Sequence, residues 1–221
     1  MNGLVTGIVL AGGRSSRMGC EKALLPVGTQ LLIERVIEHL VPLVDHMIVV
    51  GHESNARLLA ERLDPAVVEA VVTDCSPHEG PLMGVYTGLM HSQSPWNLLV
   101  PCDMPWADTE LLRRFLTACR RDARVVAARH PQGGIQTFPL ACHRSVCRLV
   151  GALLDGGQRA VRALLREPCA LLLPLAEAEC PAVRSVNTFP DYERLCDELT
   201  VTPHPVGGLP HPGLPMSQED R

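Results

Sequence analysis

The chain has 221 residues, of which 46% are hydrophobic and only 3% aromatic, so it is long enough to bury a mostly aliphatic core. Its formal net charge of −4 gives no support for the basic face that nucleic-acid-binding proteins present. No apolar run reaches the roughly 20 residues of a membrane-spanning helix, and the nine cysteines show no C-x-x-C spacing. We therefore expect a cytoplasmic protein with free thiols, binding neither membrane nor nucleic acid.

Short apolar runs alternate with amphipathic segments along most of the chain. This alternation predicts an α/β fold in which helices cover both faces of a mostly parallel sheet. The predicted strands cover residues 8–10, 47–50, 66–73, 98–100, 125–128, 135–141, 171–175 and 183–186. The predicted helices lie near residues 31–41, 58–63, 81–91, 109–119, 144–154, 158–166 and 190–199. Because prolines and glycines crowd the end of the chain, we expect one domain at residues 1–199 and a disordered tail at 200–221.

The first predicted strand runs into a glycine-rich, basic segment. Gly12 and Gly13 allow a sharp turn whose backbone amides can face an anion, and Arg14, Arg17 and Lys22 add positive charge. Lys22 is the only lysine among 20 basic residues, and an ammonium group serves as a movable point charge on phosphate. The segment therefore predicts a polyphosphate site, the alternative being that Lys22 is an ordinary solvated loop residue.

Three polar residues stand where predicted strands end. Asp103 follows the strand at 98–100, Asp74 follows the strand at 66–73, and Asn187 follows the strand at 183–186. In open α/β sheets ligands gather at the carboxyl ends of strands, so these side chains are candidates for the same site. The Asp103 carboxylate suits Mg²⁺, the Asn187 carbonyl oxygen can assist it, and Asp74 suits a ribose or base. Helix capping is the alternative role for each of the three.

A second glycine-rich stretch lies after Asp74. Gly80, Pro81 and Gly84 permit close approach of the backbone to a flat ligand, with Pro81 placed to begin a helix. The motifs of P-loop NTPases, dinucleotide-binding folds and serine hydrolases are absent. The histidines show no metal-ligand spacing, which leaves phosphate chemistry without a catalytic base as the leading interpretation.

Four motifs, in order, resemble one family. They are LAGGRSSRMG with Lys22 (residues 10–22), GPLMG (80–84), CDMP (102–105) and VNT (186–188). Together they resemble molybdenum cofactor guanylyltransferases of the molybdopterin nucleotidyltransferase family, over about residues 5–199. The resemblance implies a Rossmann-like nucleotidyltransferase domain that joins GMP from GTP to molybdopterin with release of pyrophosphate. Molybdoenzyme apo-proteins or other cofactor-biosynthesis proteins are implied as further partners.

The resemblance also implies roles for individual residues. Lys22, Asp103 and Arg17 would be catalytic, and Asp103 and Asn187 would hold Mg²⁺. The residues implied in nucleotide binding are Leu10, Ala11, Gly12, Gly13, Lys22, Asp74, Gly80 and Asp103. Glu21 replaces the usual aspartate of the motif with the same charge. Gly51 replaces an asparagine that contacts nucleotide in some members, so that contact is not expected here.

Alternatives remain open at this point. A cytidylyltransferase for the same cofactor, or an enzyme acting on another small phosphate, shares parts of these motifs. A non-catalytic nucleotide-binding partner in molybdoenzyme maturation is the alternative from another class. The candidates for contacting molybdopterin are residues 132–137 and the arginines Arg144, Arg159 and Arg162, each of which suits a solvated surface equally well.

Overall fold

A computed structural model describes residues 3–12, 21–75 and 80–201. The strands in these ranges are β1 (Val5–Ala11), β2 (Pro26–Val27), β3 (Gln30–Leu31), β4 (His46–Gly51), β5 (Ala70–Thr73), β6 (Trp96–Pro101), β7 (Val125–Arg129), β8 (Ile135–His143) and β9 (Ala170–Pro174). The α-helices are α1 (Leu32–Leu40), α2 (Ala56–Arg62), α3 (Pro81–His91), α4 (Thr109–Asp122), α5 (Cys147–Asp155) and α6 (Phe189–Glu198). Short 3-10 helices cover Lys22–Leu24, Val41–Leu43, Arg144–Val146, Val161–Arg166 and Glu177–Val183.

Seven of the strands form one sheet in the order β5-β4-β1-β6-β8-β7-β9. Strands β5, β4, β1 and β6 are parallel to one another, whereas β8 runs antiparallel to both β6 and β7. Helix α1 packs against β1 and β6, and its neighbour α4 packs against β6, β7 and β8. Helix α3 packs with α5 and against β1 and β4. The predicted α/β fold with a mostly parallel sheet is therefore confirmed.

The order of the strands positions the site. From β1 the chain moves outward on one side through β4 and β5, then returns to place β6 on the other side of β1. At such a reversal the loops leaving the carboxyl ends of neighbouring strands diverge and open a crevice. The crevice here lies beyond the ends of β1 and β6, at Ala11 and Pro101.

Helix α3 approaches the sheet closely. A Cβ atom on Gly88 would lie 2.6 Å from Ile8 Cγ2, so only glycine permits this distance between α3 and β1. Pro81 occupies the first turn of α3, where its missing N–H costs nothing. The close packing brings the N-terminal end of α3, with Gly80 and Gly84, beside the end of β1.

A second, smaller hydrophobic cluster supports the segment before α6. Val186 is fully buried in this cluster with Tyr192 and Leu195 of α6 and with Leu25 and Leu32. The Tyr192 hydroxyl also donates a hydrogen bond to the Pro26 carbonyl. This packing fixes the main chain at Val186 and, with it, the position of the next residue.

Three predicted elements are wrong in whole or in part. The strand predicted at 66–73 forms only at Ala70–Thr73, because the chain turns before it, with the Val67 and Val68 N–H groups donating to the Asp64 carbonyl. Residues 183–186 do not form a strand, because the backbone of this stretch bonds to the loop after β6, with Val186 N–H donating to the Asp103 carbonyl at 2.8 Å. The predicted helix at 158–166 is a 3-10 helix limited to Val161–Arg166. The expected tail from residue 202 onward lies outside the described residues, and the boundary predicted at 199/200 stays a prediction.

Candidate active site

A cleft of about 710 Å³ opens at the carboxyl ends of β1, β4 and β6. All the predicted site residues in the described ranges line it: Leu10, Ala11, Gly12, Lys22, Asp74, Gly80, Asp103 and Asn187. Gly13, Arg14 and Arg17 lie outside the described residues. Leu10 and Asn187, which are 177 positions apart in the chain, thus line the same cleft.

The Lys22 ammonium lies where three oxygen atoms converge. Its Nζ donates to Asn187 Oδ1 at 2.9 Å, to the Val186 carbonyl at 3.1 Å and to Asp103 Oδ2 at 3.3 Å. Only 16% of the Lys22 side chain is exposed, so this is not an ordinary solvated lysine. One carboxylate and two neutral oxygens therefore form a site for positive charge at one end of the cleft.

Asp103 is held from several directions. Its carbonyl accepts the Val186 N–H, and its side chain receives hydrogen bonds from Lys22 and Ser185. Burial raises the pKa of Asp103, and the positive charge of Lys22 opposes that rise. A partly desolvated carboxylate interacts strongly with any cation that reaches it.

The capping alternatives do not hold for these residues. The cap of α4, the helix after Asp103, is Asp108, whose side chain accepts the Leu111 N–H at 2.8 Å. Thr188 rather than Asn187 caps α6, accepting the Asp191 N–H through its side chain. The side chains of Asp103 and Asn187 are thereby left to face the cleft.

Asp74 contributes an acceptor at the other end of the cleft. Burial raises the pKa of this carboxyl, opposed by a hydrogen bond with Thr87. Asp74 Oδ1 is buried and has no hydrogen-bond partner within the described ranges. A buried acceptor of this kind is costly unless a ligand supplies a donor. Cβ atoms on Gly12 and Gly84 would lie 3.2 and 3.7 Å from the two Asp74 oxygens, so both glycines keep the approach to the carboxylate open.

Gly80 shapes the wall between these two ends. Its φ of +79° lies in the left-handed region that favours glycine. A Cβ here would also stand 2.8 Å from the Arg159 carbonyl, which accepts the Leu82 N–H at 3.1 Å. The chain can therefore pass closely beneath the cleft only with glycine at this position.

The sequence from residue 7 to 171 matches the family model described as "MobA-like NTP transferase domain". The chain belongs to this family. It is 32% identical over 161 residues to the molybdenum cofactor guanylyltransferase of Vibrio campbellii, covering 72% of this chain and 79% of that protein. It is 34% identical over 195 residues to the protein of the same name from Cupriavidus taiwanensis, covering 84% and 92% of the two chains.

Solved structures show the same fold for this MobA-like chain. It is similar to molybdopterin-guanine dinucleotide biosynthesis protein A from Archaeoglobus fulgidus, with a TM-score of 0.74 and 20% identity. The similarity covers 88% of this chain and 98% of that structure. The Rossmann-like α/β fold implied by the sequence motifs is therefore confirmed. None of the helices between residues 3 and 201 that the structure describes is long and apolar enough to cross a membrane.

Some residues of this MobA-like cleft were not found from the sequence. Ser185 and the main-chain carbonyl of Val186 lie at the end of the cleft that holds Lys22, which we call the cationic end. No sequence pattern marks a main-chain carbonyl as a ligand. His52 and Glu21 line the cleft as well. Glu21 directly precedes Lys22, and this position in the chain is the signal that marks it as a cleft residue.

The candidates for contacting molybdopterin divide between two places. Gln136 and Thr137 line the cleft. Arg144 instead lines a separate cavity of about 680 Å³ beside Pro95, at the amino end of β6 and thus far from the cleft. Arg159 donates through its guanidinium to the Leu154 carbonyl at 2.8 Å. The structure therefore favours the 132–137 segment over Arg144.

Proposed function

We propose that this chain transfers GMP from GTP to molybdopterin in a Mg²⁺-dependent reaction that releases pyrophosphate. The observation that carries the proposal is the meeting of Lys22, Asp103 and Asn187 at one end of a cleft at the strand-order reversal. The names of the relatives supply the nucleotide and the acceptor.

The nucleotide fits along the cleft between its two ends. Leu10, Ala11 and Gly12 at the end of β1 offer backbone groups to it, as Gly80 does from the opposite wall. The buried Asp74 Oδ1 suits a donor on the ribose or the base. This placement directs the triphosphate toward Lys22 and leaves Gly13 and Arg17 as predicted phosphate contacts.

The cationic end has the chemistry of a magnesium site. Three oxygens already converge on the positive charge of Lys22, and Mg²⁺ prefers oxygen ligands. Proteins commonly hold Mg²⁺ with one or two carboxylates, and the phosphates of the substrate supply further ligands. Asp103 and Asn187 are therefore enough protein ligands for a magnesium site of this kind. When bound, Mg²⁺ would neutralise part of the negative charge on the phosphates of the reactants.

The remaining chemistry follows from charge and position. An oxygen of the molybdopterin phosphate attacks the α-phosphorus of GTP, and the bond to the bridging oxygen of the β-phosphate breaks as pyrophosphate departs. Both reactants are anions, so Lys22 lowers the barrier by neutralising charge and the cleft does so by alignment. A phosphate nucleophile has no proton that must be removed, so no catalytic base is required.

Pyrophosphate release tests this proposal. Purified protein with molybdopterin and Mg²⁺ should release pyrophosphate from GTP, and chelation of the metal should stop it. Pyrophosphate release that requires CTP instead would assign the chain to the cytidylyltransferases. Binding of GTP with no release of pyrophosphate would show a non-catalytic nucleotide-binding protein.

A further inference from the structure

Asn55 is a buried polar residue that the sequence motifs did not mark. It directly precedes α2 and is 1% exposed. Its Nδ2 donates to the Ala11 carbonyl at 2.9 Å, and its Oδ1 accepts the His52 N–H at 2.8 Å. The Asn55 side chain therefore ties the end of β1 to the turn that follows β4.

The bond to Ala11 orients the next peptide group. Ala11 and Gly12 share a planar trans peptide, in which the carbonyl and the N–H point in opposite directions. By holding the Ala11 carbonyl, Asn55 thus fixes the direction of the Gly12 N–H, which belongs to a residue lining the cleft. Gly12 is also the last described residue before the segment 13–20.

Asn55 also reaches the described residue on the other side of that segment. Its side chain forms a hydrogen bond with Glu21, which opposes the rise in the pKa of Glu21 caused by burial. Glu21 directly precedes Lys22. One amide side chain thus contacts both residues that flank the glycine-rich loop, Ala11 through its carbonyl and Glu21 through its carboxylate.

The position is built to admit this amide. A Cβ atom on Gly51 would lie 2.8 Å from Asn55 Oδ1, so the absence of a side chain at Gly51 makes room for Asn55. Glycine at position 51 thus allows Asn55 to pack directly against the end of β4.

We propose that Asn55 is a positioning residue for the triphosphate, because its contacts with Ala11 and Glu21 set the distance between the Gly12 amide and the Lys22 ammonium. The inference rests on the proposed function, since it assumes that the nucleotide phosphates lie between these two groups. Asn55 touches no substrate and acts through its two neighbours.

The decisive variant is Asn55→Asp. It preserves the size and the Oδ1 acceptor for the His52 N–H, but it removes the donor to Ala11 and sets a second carboxylate against Glu21. We expect the Kd for GTP with Mg²⁺, and the Kd for inorganic tripolyphosphate, to rise at least tenfold in calorimetric titrations. The Kd for guanosine, which lacks phosphates, should stay within twofold of the wild type.

Two further variants separate positioning from mere support of the fold. Asn97→Asp makes the same chemical change at another fully buried asparagine, on β6 at the amino end of the sheet. It should lower the melting temperature and leave the Kd for GTP unchanged. Combining Asn55→Asp with Glu21→Gln restores an amide–carboxylate pair, with the carboxylate now at position 55 and the amide at position 21. Part of the lost GTP affinity should therefore return.

Each outcome bears on the inference. Unchanged tripolyphosphate affinity in folded Asn55→Asp, or an equal loss of guanosine affinity, would overturn it. If Asn55→Asp does not fold, Asn55→Ser, whose shorter side chain lacks the amide donor that reaches Ala11 and Glu21, should weaken tripolyphosphate binding at least threefold, and no change there would also overturn the inference. A wild-type protein that binds neither GTP nor tripolyphosphate would refute the proposed function itself, independently of the variants.

Discussion

Replacing Lys22 tests whether the site needs an ammonium group or only a positive charge. The Lys22 Nζ donates from a single nitrogen atom toward three oxygens, at 2.9, 3.1 and 3.3 Å. A guanidinium is planar and wider, so in Lys22→Arg it cannot direct three donors from one atom. We expect Lys22→Arg to lose at least ~10-fold in kcat/KM, or about 1.4 kcal/mol of transition-state stabilisation.

The neutral variant Lys22→Met measures the contribution of the charge. A hydrogen bond to a charged group contributes about 1.5–3 kcal/mol, and the ammonium would make at least one such bond to the departing pyrophosphate. Lys22→Met should therefore lose roughly 10- to 150-fold in kcat/KM. The Asp103 carboxylate, 23% exposed, also loses its cation, so the melting temperature should fall as well.

The assay is pyrophosphate release at saturating molybdopterin, at a temperature where every variant is folded. Arg114→Met serves as the matched control, because it removes a cation paired with a carboxylate, Glu179, that lies outside the cleft. Its kcat/KM should equal that of the wild type. Wild-type kinetics for Lys22→Arg would refute the need for an ammonium, and near-normal kinetics for Lys22→Met would refute any phosphate role for Lys22.

Three further predictions concern other groups. Asp103→Ala should abolish pyrophosphate release while circular dichroism shows an intact fold. Asn187→Ala should lower the rate of pyrophosphate release less, because it removes a neutral oxygen. Near-normal turnover in Asp103→Ala would place the metal site elsewhere. Asp74→Ala should raise the KM for GTP about tenfold, as expected for a lost hydrogen bond to a charged group. It should also raise the melting temperature at neutral pH, because the buried carboxylate, whose pKa is raised, is then gone. An unchanged KM would contradict the first expectation, and a lower melting temperature would contradict the second. The Arg114 hydrogen bond lowers the pKa of Glu179, so this pair stabilises the fold above pH 4.5 and loses its effect as the pH falls through the lowered pKa. The stability difference between wild type and Arg114→Met, at most about 1 kcal/mol at pH 7 in urea titrations, should shrink in acid. A difference that does not shrink would show that its source is the packing of Arg114 or its hydrogen bond to the Pro174 carbonyl, and not the ion pair.

The sheet could be predicted because its strands are short, continuous apolar runs. Residues 8–10, 47–50 and 98–100 lie inside β1, β4 and β6, where both faces of the sheet are covered. The stretch 183–186 misled the prediction because Val183 and Val186 are indeed buried. An apolar pattern predicts that side chains are buried. It does not predict the backbone pairing that a strand requires.

The site could be predicted as far as it lies at strand ends. Asp74 directly follows β5 and Asp103 lies two residues after β6, and parallel strands bring their carboxyl ends to the same edge of the sheet. Asn187 was placed correctly for a wrong reason, since a hydrogen bond between main-chain groups, and not a strand, brings it there. Contacts made by main-chain carbonyls or by a buried amide such as Asn55 depend on tertiary packing, which single-sequence patterns do not encode.

The central claim is guanylyl transfer to molybdopterin at this cleft, and the most direct measurement is pyrophosphate release with each nucleoside triphosphate in turn. With molybdopterin and Mg²⁺ present, the account predicts release from GTP at least tenfold faster than from CTP, ATP or UTP at equal subsaturating concentration. It also predicts that the guanine dinucleotide form of the cofactor accumulates in equal amount to the pyrophosphate. Release from CTP that equals or exceeds release from GTP would contradict the account.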